Sequence, residues 1–386
     1  MASELKVRPD TLGAKLKHAR TIHRMTQEAA SAKLAFARTT LVAIEAGKRT
    51  VSSQELRQFA ELYDIPESEL LDEREAPIEL DVDFRSTPSS NQASDEVLVA
   101  NLLNRLANST LQIEALLGQP SRIVDLPTVD VPKTGSLERH AEDAALNLRS
   151  RFGIGMGPIQ NLSALMEFEM GLRVFERPLP SKISGAVAYD SKVGGFILLN
   201  SNHPLPRRRV TGFHEAGHIV TRTTGISVHF DGQSSSDRTE RFCDLLGIAF
   251  LTPAAAVRRK AKELKEMSGE FSVRQLLMLA VFFGVSMEAM TRRMETLEML
   301  PQGTYELLRT QKVGLEHRRR VAEEMSVQEE GRPFTPRSLL LASVAHGREL
   351  LSEQQIASML ELSLVEVRKA LEAQQGDGEM VLELTE

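Results

Sequence analysis

Apolar residues recur three or four positions apart through the first seventy residues. The series runs Leu16, Ala19, Ile22; Ala30, Leu34; Leu41, Ile44; Leu56, Phe59, Ala60, Tyr63. That spacing predicts short helices over Leu12–Leu71. Asp95–Leu117 repeats the pattern through Leu98, Leu102, Leu106, Ile113 and Leu116, and predicts one longer helix. It is expected to pack within its own chain, with pairing in a homodimer as the second possibility. Leu137–Phe152 and Ile159–Met170 read as helices stopped by Gly153 and Gly171. The period then changes. Leu172–Glu176, Ala186–Asp190 and Phe196–Asn200 are β-branched or aromatic runs, with Ser184–Gly185 and Gly194–Gly195 as expected turns. From Arg207 to about Leu300 the pattern is helical. It stays so over 301–386, apart from a polar break at Gln328–Pro336 and an acidic tail.

Turn-forming residues divide this succession. Asp72–Ser94 is acidic and holds Pro77, Pro88 and Ser89–Ser90–Asn91; Gly118–Gly135 holds Pro120, Pro127 and Pro132. Both read as linkers. A length of 386 residues allows two or three domains. The expected class is α+β, mostly α, with a small central sheet.

Charge sharpens the amino-terminal part. The total of −6 conceals ten basic against four acidic residues in 1–50, then three basic against thirteen acidic residues in 51–100. A basic head before an acidic stretch points to nucleic acid, or to a solvated helix surface. The single cysteine, Cys243, excludes a disulfide framework and an all-cysteine metal site, and suits a reducing compartment. No run of 18 apolar residues occurs, and residues 1–10 lack the apolar stretch of a signal peptide. The expectation is a cytoplasmic protein with no membrane partner.

The decisive motif is His214-Glu215-Ala216-Gly217-His218. On a helix, positions i and i+4 share a face, so two imidazoles take two corners of a tetrahedral Zn2+ site. The glutamate between them is placed as general base toward the water such a site activates. Pro204 and Pro206 before the segment, and Gly225 after it, bound the helix. Three protein ligands would leave one open position on one zinc per chain. A metzincin continuation needs Gly at 221 and His at 224; the chain has Thr221 and Thr224. A glutamate from a second helix is the other common solution. Glu240, on the expected helix Asp237–Phe250 after the Ser234–Ser236 loop, is the expected third ligand. Asp244, four residues on, is placed to hydrogen-bond the second nitrogen of a ligating histidine. Cys243 is expected to be a small buried residue. His203 and His229 lie outside the spacing and are expected at the surface, though either could stabilise an oxyanion.

Residues 137 to about 300 resemble the ImmA/IrrE family of zinc metallopeptidases. The resemblance runs through Leu148–Gly153, Leu198-Leu199-Asn200 and Arg207–Phe213 leading into the histidine motif. The family's Glu-x-x-Ala-Asn-x-Phe-Ala pattern, closing on Leu-x-Pro, appears as Glu240–Gly247 and Leu251-Thr252-Pro253. Departures are Cys243 for Ala, Asp244 for Asn, Leu246 for Phe and Gly247 for Ala. The resemblance implies a gluzincin-like fold, ligands His214, His218 and Glu240, and catalytic Glu215. It also implies a repressor-type protein as substrate.

Thr26-Gln27-Glu28 opens a helix with a capping residue. Helices Gln27–Leu34 and Arg38–Glu45, followed by Gly47, make a helix-turn-helix. In such motifs the second helix enters the major groove, which selects Arg38, Thr39 and Thr40 for base edges. Gln27, Lys48 and Arg49 suit phosphates. Leu12–Leu71 resembles Xre/Cro-type domains through Arg20, Thr26-Gln27-Glu28 and Ile44-Glu45-x-Gly47-Lys48-Arg49. Ala35 stands where that family usually has Gly, and Ala37 where it usually has a capping Ser. A helical module that binds protein instead of DNA is the competing reading.

The expected organisation is therefore a helix-turn-helix domain at 1–76 and a linker at 77–135 with a helix near 95–117. A metallopeptidase domain at 136–300 and a helical region at 301–386 follow. Leu350–Leu360 and Ser363–Leu371 read helix, turn, helix, and weakly resemble the tails of longer fusions, some of them antitoxins. His317-Arg318-Arg319-Arg320 reads as a solvated helix face. The expected function is a regulator that binds an operator in double-stranded DNA and cleaves a repressor or antitoxin-like protein. The competing class is a non-catalytic antitoxin or repressor whose zinc domain is structural or sensory.

Overall fold

The computed structural model describes residues 9–22, 25–63, 65, 67–71, 90–119, 123–222, 227–230, 237–327 and 333–375. The chain forms two compact units, Met1–Glu79 and Leu80–Glu386. Gly225, the Ser234–Ser236 loop, the linker 72–89, the break at 328–332 and the acidic tail 376–386 lie outside the described residues.

The first unit is all helical: α1 Pro9–Ile22, α2 Gln27–Lys33, α3 Arg38–Glu45, α4 Ser53–Tyr63 and α5 Glu67–Leu70. Leu16, Leu41, Ile44, Leu56, Phe59 and Tyr63 close a single small core. Gly13 lets α1 cross α3 closely, since a Cβ there would lie 2.3 Å from the Ile44 carbonyl oxygen. The loop between α2 and α3 carries a cost. Ala35 sits at φ 55°, the left-handed region that disfavours a Cβ, and Ala37 caps α3 without any side-chain bond. Ala35→Gly and Ala37→Ser should each stabilise this unit by roughly 1 kcal/mol, readable as additive increases in urea midpoint. An unchanged midpoint for Ala35→Gly would mean the turn is not strained.

The second unit opens on α6, Ser90–Leu116, and α7, Leu137–Arg151. The expected linker residues 90–94 thus belong to a helix. The expected helix Ile159–Met170 is instead a short turn, α8 Leu162–Ala164, running into a π-helical turn, Leu165–Glu169. Strands β1 Arg173–Arg177, β2 Ile183–Asp190 and β3 Gly194–Asn200 come next, then α9 Leu205–Val220, β4 Ser227–Phe230 and α10 Arg238–Leu251. The sheet order is β1-β3-β2-β4, with β1 parallel to β3 and the other pairs antiparallel. Every residue of β3 is buried. Alternate side chains face opposite ways, so both sheet faces are covered, and α6 and α9 each pack on β2 and β3.

Two sequence expectations fail here. Ser184–Gly185 is no turn but lies inside β2. Its glycine marks a close approach, because a Cβ at 185 would sit 2.9 Å from the Leu198 carbonyl and 3.2 Å from Glu215 Oε1. And β4 interrupts a region read as wholly helical.

The remaining helices are α11 Ala254–Ser268, α12 Val273–Phe283, α13 Met287–Thr296, α14 Thr304–Thr310, α15 Leu315–Glu324, α16 Pro336–Gly347, α17 Glu353–Met359 and α18 Leu364–Gln375. Residues from α11 to α15 join the core built on α7, the sheet, α9 and α10. Within the basic run on α15, Arg318 is not a surface residue. It is 1% exposed and donates through Nε to the Val285 carbonyl at 2.8 Å. A second cluster joins Ile113 and Leu117, at the end of α6, to Phe334, Leu341, Ile356, Leu360 and Val367. No single described helix is long and apolar enough to cross a membrane.

Candidate metal centre and nucleic-acid interface

Helix α9 begins after Pro204, with Pro206 in its first turn, where a missing N–H costs nothing. It runs without a break through the histidine motif, all of which is buried. Helix α10 starts from Asp237, whose carboxylate accepts from the Thr239 N–H at 2.8 Å. The two helices approach closely because each offers a glycine to the other. A Cβ at Gly217 would meet Cys243 Sγ at 3.2 Å, and one at Gly247 would meet the His214 backbone nitrogen at 3.2 Å. Cys243, buried as expected, thus fits against the glycine of the motif.

This crossing brings three donors together. His214 Nε2 and His218 Nε2 are 3.1 Å apart, and Glu240 Oε2 lies 3.5 Å from the first and 3.4 Å from the second. Ligands at 2.0–2.1 Å on a tetrahedral zinc stand about 3.3 Å apart, so the triangle fits one face of such a site. Two imidazole nitrogens 3.1 Å apart cannot both carry protons, which suits a shared cation. Asp244 Oδ1 lies 2.8 Å from His214 Nδ1, a close contact rather than an aligned hydrogen bond. On His218, the other ring nitrogen faces Cys243 Sγ at 3.8 Å.

Glu215 is fully buried, and neither carboxylate oxygen has a hydrogen-bond partner among the described residues. A buried carboxylate left unpaired is costly, which marks it as held for use rather than for stability. Burial pushes its pKa up to about 8, aided by Glu240 and Asp244 against the pull of His214. At His214, burial opposes the charged ring, but Asp244 and Glu240 prevail and raise it to about 10. Burial likewise works against ionised Glu240, yet the two imidazoles hold it well below the usual carboxylate range. Burial lifts the Cys243 thiol far above its ordinary value.

His229 was set aside by spacing and expected at the surface. The structure puts its ring 4.4 Å from that of His214, and burial and His214 press its pKa down to about 4. It lies on β4 opposite Gly185, the residue whose missing Cβ makes room for Glu215. The run Ser227-Val228-His229-Phe230 carries the strand signal that would have placed it. His203 is part of the loop before α9, away from the donor triangle, with Nε2 3.4 Å from the Ser181 carbonyl.

In the first unit, Arg20, Gln27 and Glu45 form an internal lock. Arg20 holds Glu45 through Nε at 2.6 Å and Nη2 at 3.0 Å, and Gln27 donates to Glu45 Oε2 at 2.9 Å. Gln27 therefore ties α2 to α3. Thr26 caps α2 through the Ala29 N–H at 3.0 Å. Arg38, Thr39 and Lys48 are exposed and Thr40 partly so. Arg49, also exposed, pairs with Glu55 at 2.8 Å.

Residues 168–295 match the IrrE N-terminal-like domain of the M78 peptidases, and residues 11–72 match a helix-turn-helix domain family. The chain joins a helix-turn-helix domain to an IrrE-like domain. No curated protein matches the chain. Among solved structures, PlcR of Bacillus thuringiensis with the peptide PapR7 and DNA is 9% identical, over 94% of this chain and 91% of that one. ComR from Streptococcus suis is 9% identical over 95% of each chain. Both have a TM-score of 0.16, too low to carry an argument. The IrrE-like match begins before β1 and ends in α13, so it takes in the sheet, both helices that carry the donor triangle and His229.

A second triad, His214, Glu215 and His229, also has its donor atoms within 4.8 Å of one another. Metal analysis separates the two. The purified chain should hold about one zinc, His214→Ala or Glu240→Ala should strip most of it, and His229→Ala should keep it. Loss in His229→Ala with retention in Glu240→Ala would move the site to the second triad.

Proposed function

We propose that the chain is a DNA-binding regulator whose IrrE-like domain is a zinc-dependent endopeptidase acting on a repressor-type protein. The observation that carries this reading is Glu215, wholly buried and without a hydrogen-bond partner among the described residues, beside the triangle of His214, His218 and Glu240. His214, His218 and Glu240 would hold a zinc ion, which would supply Lewis acidity toward a peptide carbonyl and toward water near neutral pH. Glu215 takes the proton from the attacking water and hands it to the leaving amide nitrogen. Asp244, 2.8 Å from His214 Nδ1, is close enough to orient that ring by a small rotation of its carboxylate. His229 faces the same space from β4 and donates to the charge that develops on the carbonyl oxygen. β4 is an edge strand in the sheet order, so an extended substrate segment can pair with its backbone.

Substrate capture tests this. Proteins that accumulate in cells carrying Glu215→Gln should be cut by the purified wild-type chain and spared after chelation. If none that accumulates is cut by the zinc-loaded chain, the domain is not a peptidase.

The DNA reading rests on the exposed side of α3 and on Lys48. Random-site selection with the full chain should return an enriched motif, with affinity falling steeply as salt rises. Arg38→Ala should relax the preference at one position, whereas Lys48→Ala should weaken all sequences alike. Recovery of no motif would point to a protein-binding head.

A further inference from the structure

Behind the donor triangle, α10 presents a different side chain to each imidazole. Glu240, Cys243 and Asp244 are spaced i, i+3 and i+4, so they share one face of that helix. Glu240 belongs to the triangle itself. Asp244 Oδ1 stands 2.8 Å from Nδ1 of His214, and Cys243 Sγ stands 3.8 Å from Nδ1 of His218. One ring is thus backed by a carboxylate and the other by a thiol. Their settings differ. The Asp244 side chain is 63% exposed, whereas Cys243 is wholly buried. Water can stand in for the first but not for the second. The sulfur reaches this place through a glycine. A Cβ on Gly217 would lie 3.2 Å from Sγ and 3.3 Å from the Cys243 Cβ, so the glycine between the two histidines lets the thiol come alongside His218.

Hydrogen-bond direction then selects a tautomer. The Thr221 hydroxyl donates to the Gly217 carbonyl at 2.9 Å, which commits its single proton. The same hydroxyl bonds to Cys243. With its proton committed, the Thr221 oxygen is the acceptor there and the S–H is the donor. The sulfur lone pairs are left toward His218, so Nδ1 carries the ring proton. Nε2, which faces Glu240 and His214, is then unprotonated, as a ligating nitrogen must be. Histidine, cysteine and threonine form one chain of donors that runs away from the triangle and ends on a carbonyl of α9. Glu215, buried beside the same triangle without a hydrogen-bond partner among the described residues, independently marks a ligand there.

We propose that Cys243 is a positioning residue for zinc, holding His218 in the tautomer and orientation that bind the ion, with Thr221 setting the direction of the bond. The inference rests on the zinc reading of His214, His218 and Glu240, and not on peptidase activity. Zinc affinity of the full chain, read by competition with a chromophoric chelator, tests it. Cys243→Ala should weaken zinc by about tenfold or more, the effect of losing the partner of a ligating histidine. Thr221→Val keeps the side-chain shape and leaves Cys243 in place, yet frees the S–H to turn on Nδ1, and should weaken zinc by about threefold. A spectroscopic signature separates orientation from packing. In the zinc-loaded wild type, long-range proton–nitrogen NMR spectra should show the His218 Nδ1 proton protected from solvent exchange, and Cys243→Ala should speed that exchange severalfold. His218→Ala is the reference. Retention of zinc there removes the ligand reading itself, and this inference with it. Loss of zinc there, with wild-type affinity in Cys243→Ala or an unchanged exchange rate, overturns only the role of Cys243. If circular dichroism shows that Cys243→Ala does not fold, Thr221→Val decides, and wild-type affinity in that variant overturns the proposal.

Discussion

Replacing Glu215 by Gln is expected to lower peptide cleavage by at least about 100-fold while zinc content stays at its wild-type level. Glutamine keeps the size of the side chain but has no basic oxygen to take a proton. The donor triangle is untouched, because Glu215 contributes no atom to it. Stability should move the other way. The wild-type carboxylate is buried, unpartnered and raised to about pKa 8. A folded pKa above the ordinary value of 4.5 makes the folded state lose stability as pH rises from about 4.5 through about 8. In metal-free protein, Glu215→Gln removes that loss, so its melting temperature should equal or exceed wild type, with the gap widening over that window. Cleavage assays on a captured substrate and melting curves between pH 5 and 8 measure both effects. A variant that still cuts at near wild-type rate would remove Glu215 from the chemistry. A variant that neither cuts less nor changes regulation in cells would make the metal centre structural.

The helix-turn-helix and the donor triangle were legible because their signals are local. His214 and His218 share a helix face by spacing alone, and Glu240 with Asp244 repeats that logic one helix later. The left-handed Ala35 was visible as an alanine at a position that favours glycine. What escaped depends on distant chain segments. Glycine at 185 reads as a turn until the Leu198 carbonyl and Glu215 are seen against it. His229 comes to lie beside His214 only because β4 pairs with β2. Arg318 looks like one charge in a basic run, yet its partner is a carbonyl 33 residues earlier. The segment 95–117 looked like a helix inside a linker. Nothing local shows that its end packs with Phe334 and Leu341 to share a core with the last helices.

That shared core is also held by charge, and removing the charge at its centre should cost about 3–5 kcal/mol. Glu114 on α6 is 1% exposed and receives two bonds from Arg173 of β1, at 2.9 and 2.7 Å. Arg337 of α16 donates to the same carboxylate at 2.6 Å. Burial works against the ionised carboxylate, but the two guanidinium groups outweigh it and lower its pKa. Glu114→Ala leaves Arg173, itself 2% exposed, without its counter-ion. At roughly 2–4 °C per kcal/mol for a domain of this order of size, the melting temperature should fall by roughly 6–20 °C. Arg337→Ala should do much less, because the bidentate pair with Arg173 survives. The depressed pKa fixes the sign with pH. Glu114 stabilises the fold above about pH 4.5 and ceases to do so as pH falls through its folded value, so Glu114→Gln should flatten the acid side of the stability curve. Thermal and acid denaturation of the three variants measure this. Equal losses for Glu114→Ala and Arg337→Ala would mean that α16, rather than the buried pair on β1, carries the attachment.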